Sequence, residues 1–280
     1  GLLVYYFFGQ DYRKSKIFEK KYILDNNRIK KWRDNFKLDQ EEKEDFEEEF
    51  GEGIFKIYRL LKNNERAVLT FDNEVDILVS GEAKFEKLRI DLANAKNHIH
   101  LEYFVLFDDE VGMGIIDILC SKAQEGVQVR LIYDDVGSSI SRKSKRKLTD
   151  TGVLHFPFMP VLFSNSTSKL NYRDHRKIVV IDGTIGYVGG INLDKKYDNS
   201  LENERYWRDT HLRLEGGAVG SLQSAFLLSW NFVSKQEIEI GEALFPKVKS
   251  KSQVPIAVQI AASGPDTDWA NIMEAFFCAI

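Results

Sequence analysis

The sequence predicts an α/β domain in which a mixed β-sheet is flanked by helices. From about residue 66 onward, short apolar runs alternate with segments of helical periodicity, as they do in α/β domains. The apolar runs 178–181 and 185–188 flank Asp182-Gly183, a pair typical of the turn in a β-hairpin. The chain has 280 residues, 43% of them hydrophobic and 29% charged, so it can bury a substantial core.

The predicted strands are apolar or alternating runs, most of them bounded by turn residues. They span residues 67–71, 75–79, 99–107, 127–133, 153–158, 178–181, 185–188, 207–214 and 254–261. The predicted helices have helical spacing of apolar residues, or a basic exposed face in the case of 142–150. They span residues 82–95, 112–125, 142–150, 219–232 and 269–280.

The two ends of the chain suggest further parts. Residues 1–9 are largely apolar and aromatic, and a basic stretch follows at 10–37, as at the cytoplasmic end of a membrane helix. We interpret 1–9 as the remnant of a transmembrane helix, the alternative being an apolar terminus, and 10–65 as a charged juxtamembrane connector. The first α/β domain is expected at 66–262. Because the last helix is similar to the helix at 82–95, we interpret 263–280 as the start of a truncated second repeat; the alternative is a helix packed on the first domain.

Composition argues against two classes of site. The net charge of −4 gives no overall basic field, so nucleic-acid binding is not expected. Cys120 and Cys278 lie in no metal-binding pattern, so no structural zinc is expected.

Residues 171–192 carry the chemistry. Side chains alternate along a strand, so His175 and Lys177 point the same way, while Asp182 points the other way or sits in the turn. A two-residue turn places Gly190 opposite His175, and a shift of one residue places Ile191 there. In either register Gly189 and Gly190 leave space beside His175 and Lys177, because they carry no side chain.

Such a pocket suits a phosphate group. Lys177 and Asn192 supply charge-assisted and amide hydrogen bonds, and Gly190 allows close approach. A neutral His175 is placed to attack phosphorus, and it needs a group that fixes its tautomer. Asp209 is one candidate for that orienting role, with a surface cation as its alternative partner. Glu102 is another candidate, since it shares a strand face with two histidines, His98 and His100, that line the cleft or else belong to the core.

These residues resemble the signature of the phospholipase D superfamily. His175, Lys177 and Asp182 match its HxKxxxxD motif, and the Gly-Gly-x-Asn run that ends at Asn192 matches the element that follows. Further stretches are similar to bacterial cardiolipin synthases. They are residues 100–104, 126–138, 206–211, 258–259 and 263–266. The likeness covers nearly the whole chain.

The resemblance implies transfer of a phosphatidyl group between two phosphatidylglycerol molecules, giving cardiolipin and glycerol without a metal or other cofactor. It implies that His175 is the nucleophile, that Lys177 and Asn192 bind phosphate, and that Asp182 is structural. It also implies anionic phospholipid as partner and a bacterial membrane location with the domain on the cytoplasmic side. The alternatives are a phospholipase D-type hydrolase, a nuclease or phosphodiesterase of the same superfamily, and a module that only binds headgroups.

The sequence departs from the family in one respect. The family uses two such motifs, the second histidine acting as general acid and then base, but the 280 residues contain one HxKxxxxD. We therefore expect this chain to hold half of the site, with the missing acid beyond Ile280 in a second phospholipase D-like half.

Overall fold

The computed structural model describes residues 40–65, 67–160, 173–236, 238–246, 256–263 and 270–280. The chain divides into two compact units, a larger one of residues 71–257 and a smaller one formed by 1–70 with 258–280. The predicted membrane remnant at 1–9 and the basic stretch at 10–37 lie outside the described residues. Within the described residues, no helix is both long enough and apolar enough to cross a bilayer.

The described helices are α1 (Gln40–Glu65), α2 (Gly81–Asn94), α3 (Glu110–Gln124), α4 (Arg142–Asp150), α5 (Ala218–Ser234) and α6 (Asn271–Ala279). Five of the six described helices lie close to predicted ones, and α1 lies within the predicted charged connector 10–65. Polar side chains begin three of them as N-caps, because each accepts a hydrogen bond from an otherwise unpaired N–H of the first turn. The capping residues are Ser80, Asp109 and Ser141.

The described strands also follow the apolar runs. They are β1 (Leu69–Thr70), β2 (Asn73–Leu78), β3 (His98–Tyr103), β4 (Gln128–Asp134), β5 (Leu154–Phe158), β6 (Lys177–Ile181), β7 (Ile185–Gly189), β8 (His211–Gly216) and β9 (Val258–Gln259). Four differ clearly from the predicted lengths. β1 and β9 have two residues each, where strands were predicted at 67–71 and 254–261, of which 254 and 255 lie outside the described residues. β3 ends at Tyr103 because Phe104 donates to Arg176 and Val105 donates to the Asn192 side chain, outside the sheet ladder. β8 begins only at His211, so residues 207–210 are not strand.

Seven strands of the larger unit form one mixed sheet in the order β2-β8-β7-β6-β3-β4-β5. β3, β4 and β5 are parallel, and the remaining pairs are antiparallel. The predicted α/β class with a mixed sheet flanked by helices is thus confirmed. One face of the sheet buries Leu101 and Val179 in the core with α2 and α3. The other face buries Ile132 against Phe226 and Trp230 of α5.

The hairpin between β6 and β7 sets the register of the candidate site. Asp182 and Gly183 both have positive φ, 54° and 67°, as an Asp-Gly turn requires. Ile181 pairs with Ile185, so three residues connect the strands and the register is the one-residue shift. Continued beyond the ladder, this register brings Ile191 opposite His175.

The smaller unit contains α1, α6 and the β1–β9 pair. α1 bends at Gly51, whose φ of 81° interrupts the helix. α6 packs on α1, and Asn64 Nδ2 donates to Glu274 Oε2 at 2.9 Å. The interpretation of 263–280 as the start of a second repeat stays a prediction.

Candidate active site

Asp182 lies at the turn end of β6, away from His175 and Lys177. Its carboxylate accepts the backbone N–H groups of Lys96 at 2.8 Å, Asn97 at 2.7 Å and His98 at 2.9 Å. Its own N–H donates to the His98 carbonyl at 2.9 Å. These bonds tie the β6–β7 turn to the start of β3, which is a structural role and not a contact with a reacting group.

Lys177 is the buried cation of the site. Its side chain is 4% exposed, and Nζ donates to the carbonyl of His175 at 2.8 Å while lying 5.3 Å from the centre of the Phe104 ring. Burial lowers the pKa of Lys177 to about 8, although Asp174 and Asp209 act to raise it. An ammonium that is poorly solvated gains more from an incoming anion than a fully hydrated one does.

His175 is exposed and lies two residues before Lys177, where β6 begins. Its ring packs against Phe104, with the ring centres 4.7 Å apart. Partial burial and the nearby Lys177 charge lower the pKa of His175, while Asp174 and Asp134 oppose the shift. The imidazole is therefore mostly neutral at pH 7, with its nucleophilic lone pair available. Within the described part of the chain, its ring nitrogens make no hydrogen bond.

Asp134 fixes the segment that leads into His175. This fully buried carboxylate accepts the N–H groups of Val136 and Gly137 and, at 3.2 Å each, those of the Arg173 side chain and the Asp174 backbone. One anchor at the end of β4 thus restrains the two residues before His175. Such restraint limits the entropy lost when the imidazole is positioned for reaction.

The Asn192 side chain is fixed by two hydrogen bonds. Its Oδ1 accepts the Val105 N–H at 3.2 Å, and its Nδ2 donates to the Tyr197 hydroxyl at 3.0 Å. The side chain is 4% exposed. Because Nδ2 carries two hydrogens, one remains for an oxygen of a bound ligand.

Asp209 lies against Gly190 instead of against His175. A Cβ at Gly190 would stand 2.1 Å from Asp209 Oδ1, so the glycine makes room for this carboxylate. Asp209 accepts the N–H of Thr210 at 2.7 Å and acts to raise the pKa of Lys177. No described contact joins Asp209 to His175, so an orienting role for Asp209 stays a hypothesis.

Glu102 lies on the other face of the sheet from Lys177. Tyr103 pairs with Lys177 and Glu102 pairs with Ile178, so the side chains of Glu102 and Lys177 point in opposite directions. Glu102 is fully buried, 3.5 Å from Arg176 Nη1, and burial together with Asp174 raises its pKa well above the usual value. It supports the segment 174–176 and does not contact the His175 imidazole.

The two histidines of β3 belong to the core. His100 is fully buried, hydrogen-bonds with Gln223 at 2.8 Å and stacks on Phe226, with ring centres 4.4 Å apart. His98 is 2% exposed and lies beside it. Of the two alternatives for these residues, the core position is the observed one.

Four residues of the site were not assigned to it from the sequence: Phe104, Tyr197, Lys196 and Trp207. Phe104 contacts both His175 and Lys177, and Tyr197 holds Asn192. Lys196 lies over the rings of Tyr197 and Trp207 and lowers the pKa of Lys177. No short spacing in the sequence signals these contacts, because they join distant segments. Those of Phe104 join the end of β3 to the start of β6, and the others lie around the 3-10 helix Lys195–Tyr197.

The family model and the curated relatives that this chain matches are all described as cardiolipin synthases. The family described as "Cardiolipin synthase, PLD-like domain" matches residues 88–212, which include His175, Lys177, Asp182 and Asn192. The chain is 37% identical to "Cardiolipin synthase 2" of Bacillus cereus, covering 100% of this chain and 54% of that protein. It is 42% identical to "Major cardiolipin synthase ClsA" of Bacillus subtilis, covering 79% of this chain and 45% of that protein. The chain spans about half the length of these curated relatives.

Among solved structures, the phospholipase D family member Nuc of Salmonella typhimurium matches with a TM-score of 0.43 and 17% identity. The match covers 57% of this chain and 96% of that one.

Proposed function

The chain carries a phospholipase D-like domain of the cardiolipin synthase family, and on this premise we propose that it is a phosphatidyltransferase. In this proposal it joins two phosphatidylglycerol molecules into cardiolipin and releases glycerol. The observation that carries the proposal is the exposed His175 beside the buried cation Lys177, where partial burial and the Lys177 charge lower the pKa of His175. A nucleophile just before a strand and an anion-binding group at the first residue of that strand suit attack on a phosphodiester.

The proposed reaction has two steps. The His175 imidazole attacks phosphorus of the first lipid, a P–N bond forms, and the P–O bond to glycerol breaks. A hydroxyl of the second lipid then attacks the phosphatidyl-histidine, forming a P–O bond and freeing the imidazole. Lys177 and the remaining N–H of Asn192 hold the phosphate oxygens, where they stabilise the charge that develops on them.

The proton transfers need a partner that this site does not show. The leaving glycerol oxygen must be protonated, and the second hydroxyl must later lose a proton. We propose that a second phospholipase D-like half supplies a histidine for both, so that the 280-residue chain holds half of the site. One HxKxxxxD in the sequence and coverage of about half of the relatives support this view. The lipid substrate places the protein at a bacterial membrane, in our proposal on its cytoplasmic side.

The test uses the full-length protein in detergent with phosphatidylglycerol. We expect cardiolipin and free glycerol in equal amounts, and both should be lost in His175→Ala. Phosphatidic acid as the sole lipid product would instead identify a phospholipase D-type hydrolase, since His175 is exposed enough for water to act as acceptor.

The 280-residue chain by itself tests the two-half proposal. We expect it to bind phosphatidylglycerol micelles but to form little or no cardiolipin. Sustained turnover by a monomer of this chain, verified by light scattering, would contradict the need for a second half.

A further inference from the structure

Lys196 and Trp207 form a cationic surface beside the site that the two proposed steps leave unused. The Lys196 ammonium lies 4.9 Å from the centre of the Trp207 ring and 5.1 Å from that of Tyr197. Its side chain is 45% exposed, with Asp194 3.5 Å away. The charge is therefore fixed by two rings while it still faces solvent.

This surface is connected rigidly to the phosphate-binding residues. The Trp207 backbone exchanges two hydrogen bonds with the Asn199 side chain, at 2.8 Å and 2.7 Å. The Trp207 ring meets Tyr197 edge-on at 5.5 Å, and the Tyr197 hydroxyl accepts from Asn192. Lys196 is thus linked to Asn192 through its contacts with the two rings and the Tyr197 hydroxyl, and these contacts reduce the side-chain freedom lost when an anion binds.

Lys196 contacts the Tyr197 ring, whose hydroxyl binds Asn192, and the positive charge of Lys196 acts to lower the pKa of Lys177. Two ammonium groups of this kind suit two phosphates better than one. Each of the two lipids carries a negative phosphodiester. The hydroxyl that attacks is on the headgroup glycerol of the second lipid, and that glycerol is itself esterified to the phosphate of the second lipid. The second phosphate must therefore approach the first, and a separate cation offsets their repulsion.

We propose that Lys196 and Trp207 form the subsite for the acceptor lipid, with Lys196 binding its phosphodiester and Trp207 packing on its glycerol backbone. Lys177 and Asn192 then hold the donor lipid. Tyr206, which is 76% exposed beside Trp207, extends the same surface with an aromatic ring of the kind that favours the membrane interface. This inference rests on the proposed transferase reaction.

The donor and acceptor steps can be measured separately. Exchange of radiolabelled glycerol into phosphatidylglycerol needs only the first step and its reversal: His175 displaces glycerol from phosphorus, and labelled glycerol then displaces the imidazole. Cardiolipin formation needs the acceptor lipid as well. The full-length protein is assayed for both in mixed micelles of phosphatidylglycerol and neutral detergent, as wild type, Lys196→Gln, Trp207→Leu and Lys195→Gln. Lys195 is the matched control, since its exposed side chain is one residue away.

We expect Lys196→Gln to lower cardiolipin formation at low phosphatidylglycerol by roughly ten-fold, the effect of one charge-assisted hydrogen bond, with glycerol exchange within about two-fold of wild type. Trp207→Leu should likewise lower cardiolipin formation more than glycerol exchange, and Lys195→Gln should change neither. An equal loss of both activities in Lys196→Gln would overturn the acceptor assignment, as would no loss in either. Absence of glycerol exchange and of cardiolipin in the wild type would instead refute the proposed function itself.

Discussion

Replacing Asp182 by alanine separates a structural role of this residue from a catalytic one. Asp182 accepts three backbone N–H groups, from Lys96, Asn97 and His98, and two of these bonds lie at exposed positions. At about 1 kcal/mol for each bond after discounting for solvent, alanine should destabilise the β3 start by roughly 3 kcal/mol. Alanine at a φ of 54° adds about 1 kcal/mol of backbone strain.

The conservative variant Asp182→Asn should cost less. Asparagine tolerates positive φ, and its single oxygen can keep the two bonds that Oδ1 accepts, from Asn97 and His98. The bond from Lys96 to Oδ2 is lost, so we expect a cost of roughly 1 kcal/mol.

Hydrogen exchange read by mass spectrometry measures this locally. A total loss of about 4 kcal/mol, bonds and strain together, should speed exchange at the amides of Lys96, Asn97 and His98 by roughly a thousand-fold, and the asparagine variant by about ten-fold or less. Asp150→Ala, which removes an exposed carboxylate from α4, should leave these amides unchanged. If Asp182→Ala abolished cardiolipin formation with unchanged exchange at residues 96–98, the structural assignment would be refuted.

Four further predictions concern charge. Burial lowers the pKa of Lys177 to about 8, and only the protonated form attracts phosphate, so kcat/KM should fall as pH rises through about 8. Lys177→Arg should lose this alkaline limb. An unchanged limb in that variant would refute phosphate binding by the Lys177 ammonium. Because the pKa of His175 lies below 6.5, the ring stays neutral above that pH, so protonation of His175 should not lower kcat/KM there. An NMR titration of the His175 ring with its midpoint above pH 6.5 would contradict this. Gly190→Ala forces the Asp209 carboxylate aside, so the alkaline limb should move to lower pH, as it should in Asp209→Asn; a move upward would contradict the geometry. Lys84 is fully buried, its Nζ has no hydrogen-bond partner among the described residues, and burial lowers its pKa well below 10.5. Lys84→Met should therefore raise the free energy of unfolding by roughly 1–3 kcal/mol at pH 7, measured by urea unfolding. Wild-type stability should rise with pH up to the unfolded pKa, so this advantage should shrink toward pH 10, and an advantage that grew would contradict the effect of burial.

Local features of the fold could be predicted because short stretches determine them. Asp182-Gly183 indicates the turn by its tolerance of positive φ. Strand alternation predicts one face for His175 and Lys177; in the structure His175 lies before β6, and both side chains contact Phe104. The register of the hairpin could not be chosen, because both two-residue and three-residue connections fit the same letters. The structure has the three-residue connection, which puts Ile185 opposite Ile181.

Features that depend on pairing between distant segments could not be predicted. Whether Glu102 shares a face with Lys177 depends on the β3–β6 register, in which Tyr103 is the partner of Lys177. The contact of Lys196 with Trp207 depends on a loop that folds back on itself. No periodicity signals either relation, so the sequence predicts neither the opposite faces of Glu102 and Lys177 nor the contact of Lys196 with Trp207.

The central claim, that His175 is the nucleophile, is tested most directly by identifying the atom that carries the phosphatidyl group. The full-length protein is mixed briefly with phosphatidylglycerol labelled with ³²P in its headgroup and then denatured at alkaline pH, at which phosphohistidine survives. We predict acid-labile label on the peptide that contains His175. The label should be lost in His175→Ala and kept in His155→Ala, the matched control. Label that persists in His175→Ala, or cardiolipin formed by that variant at the wild-type rate, would contradict the assignment of His175 as the nucleophile.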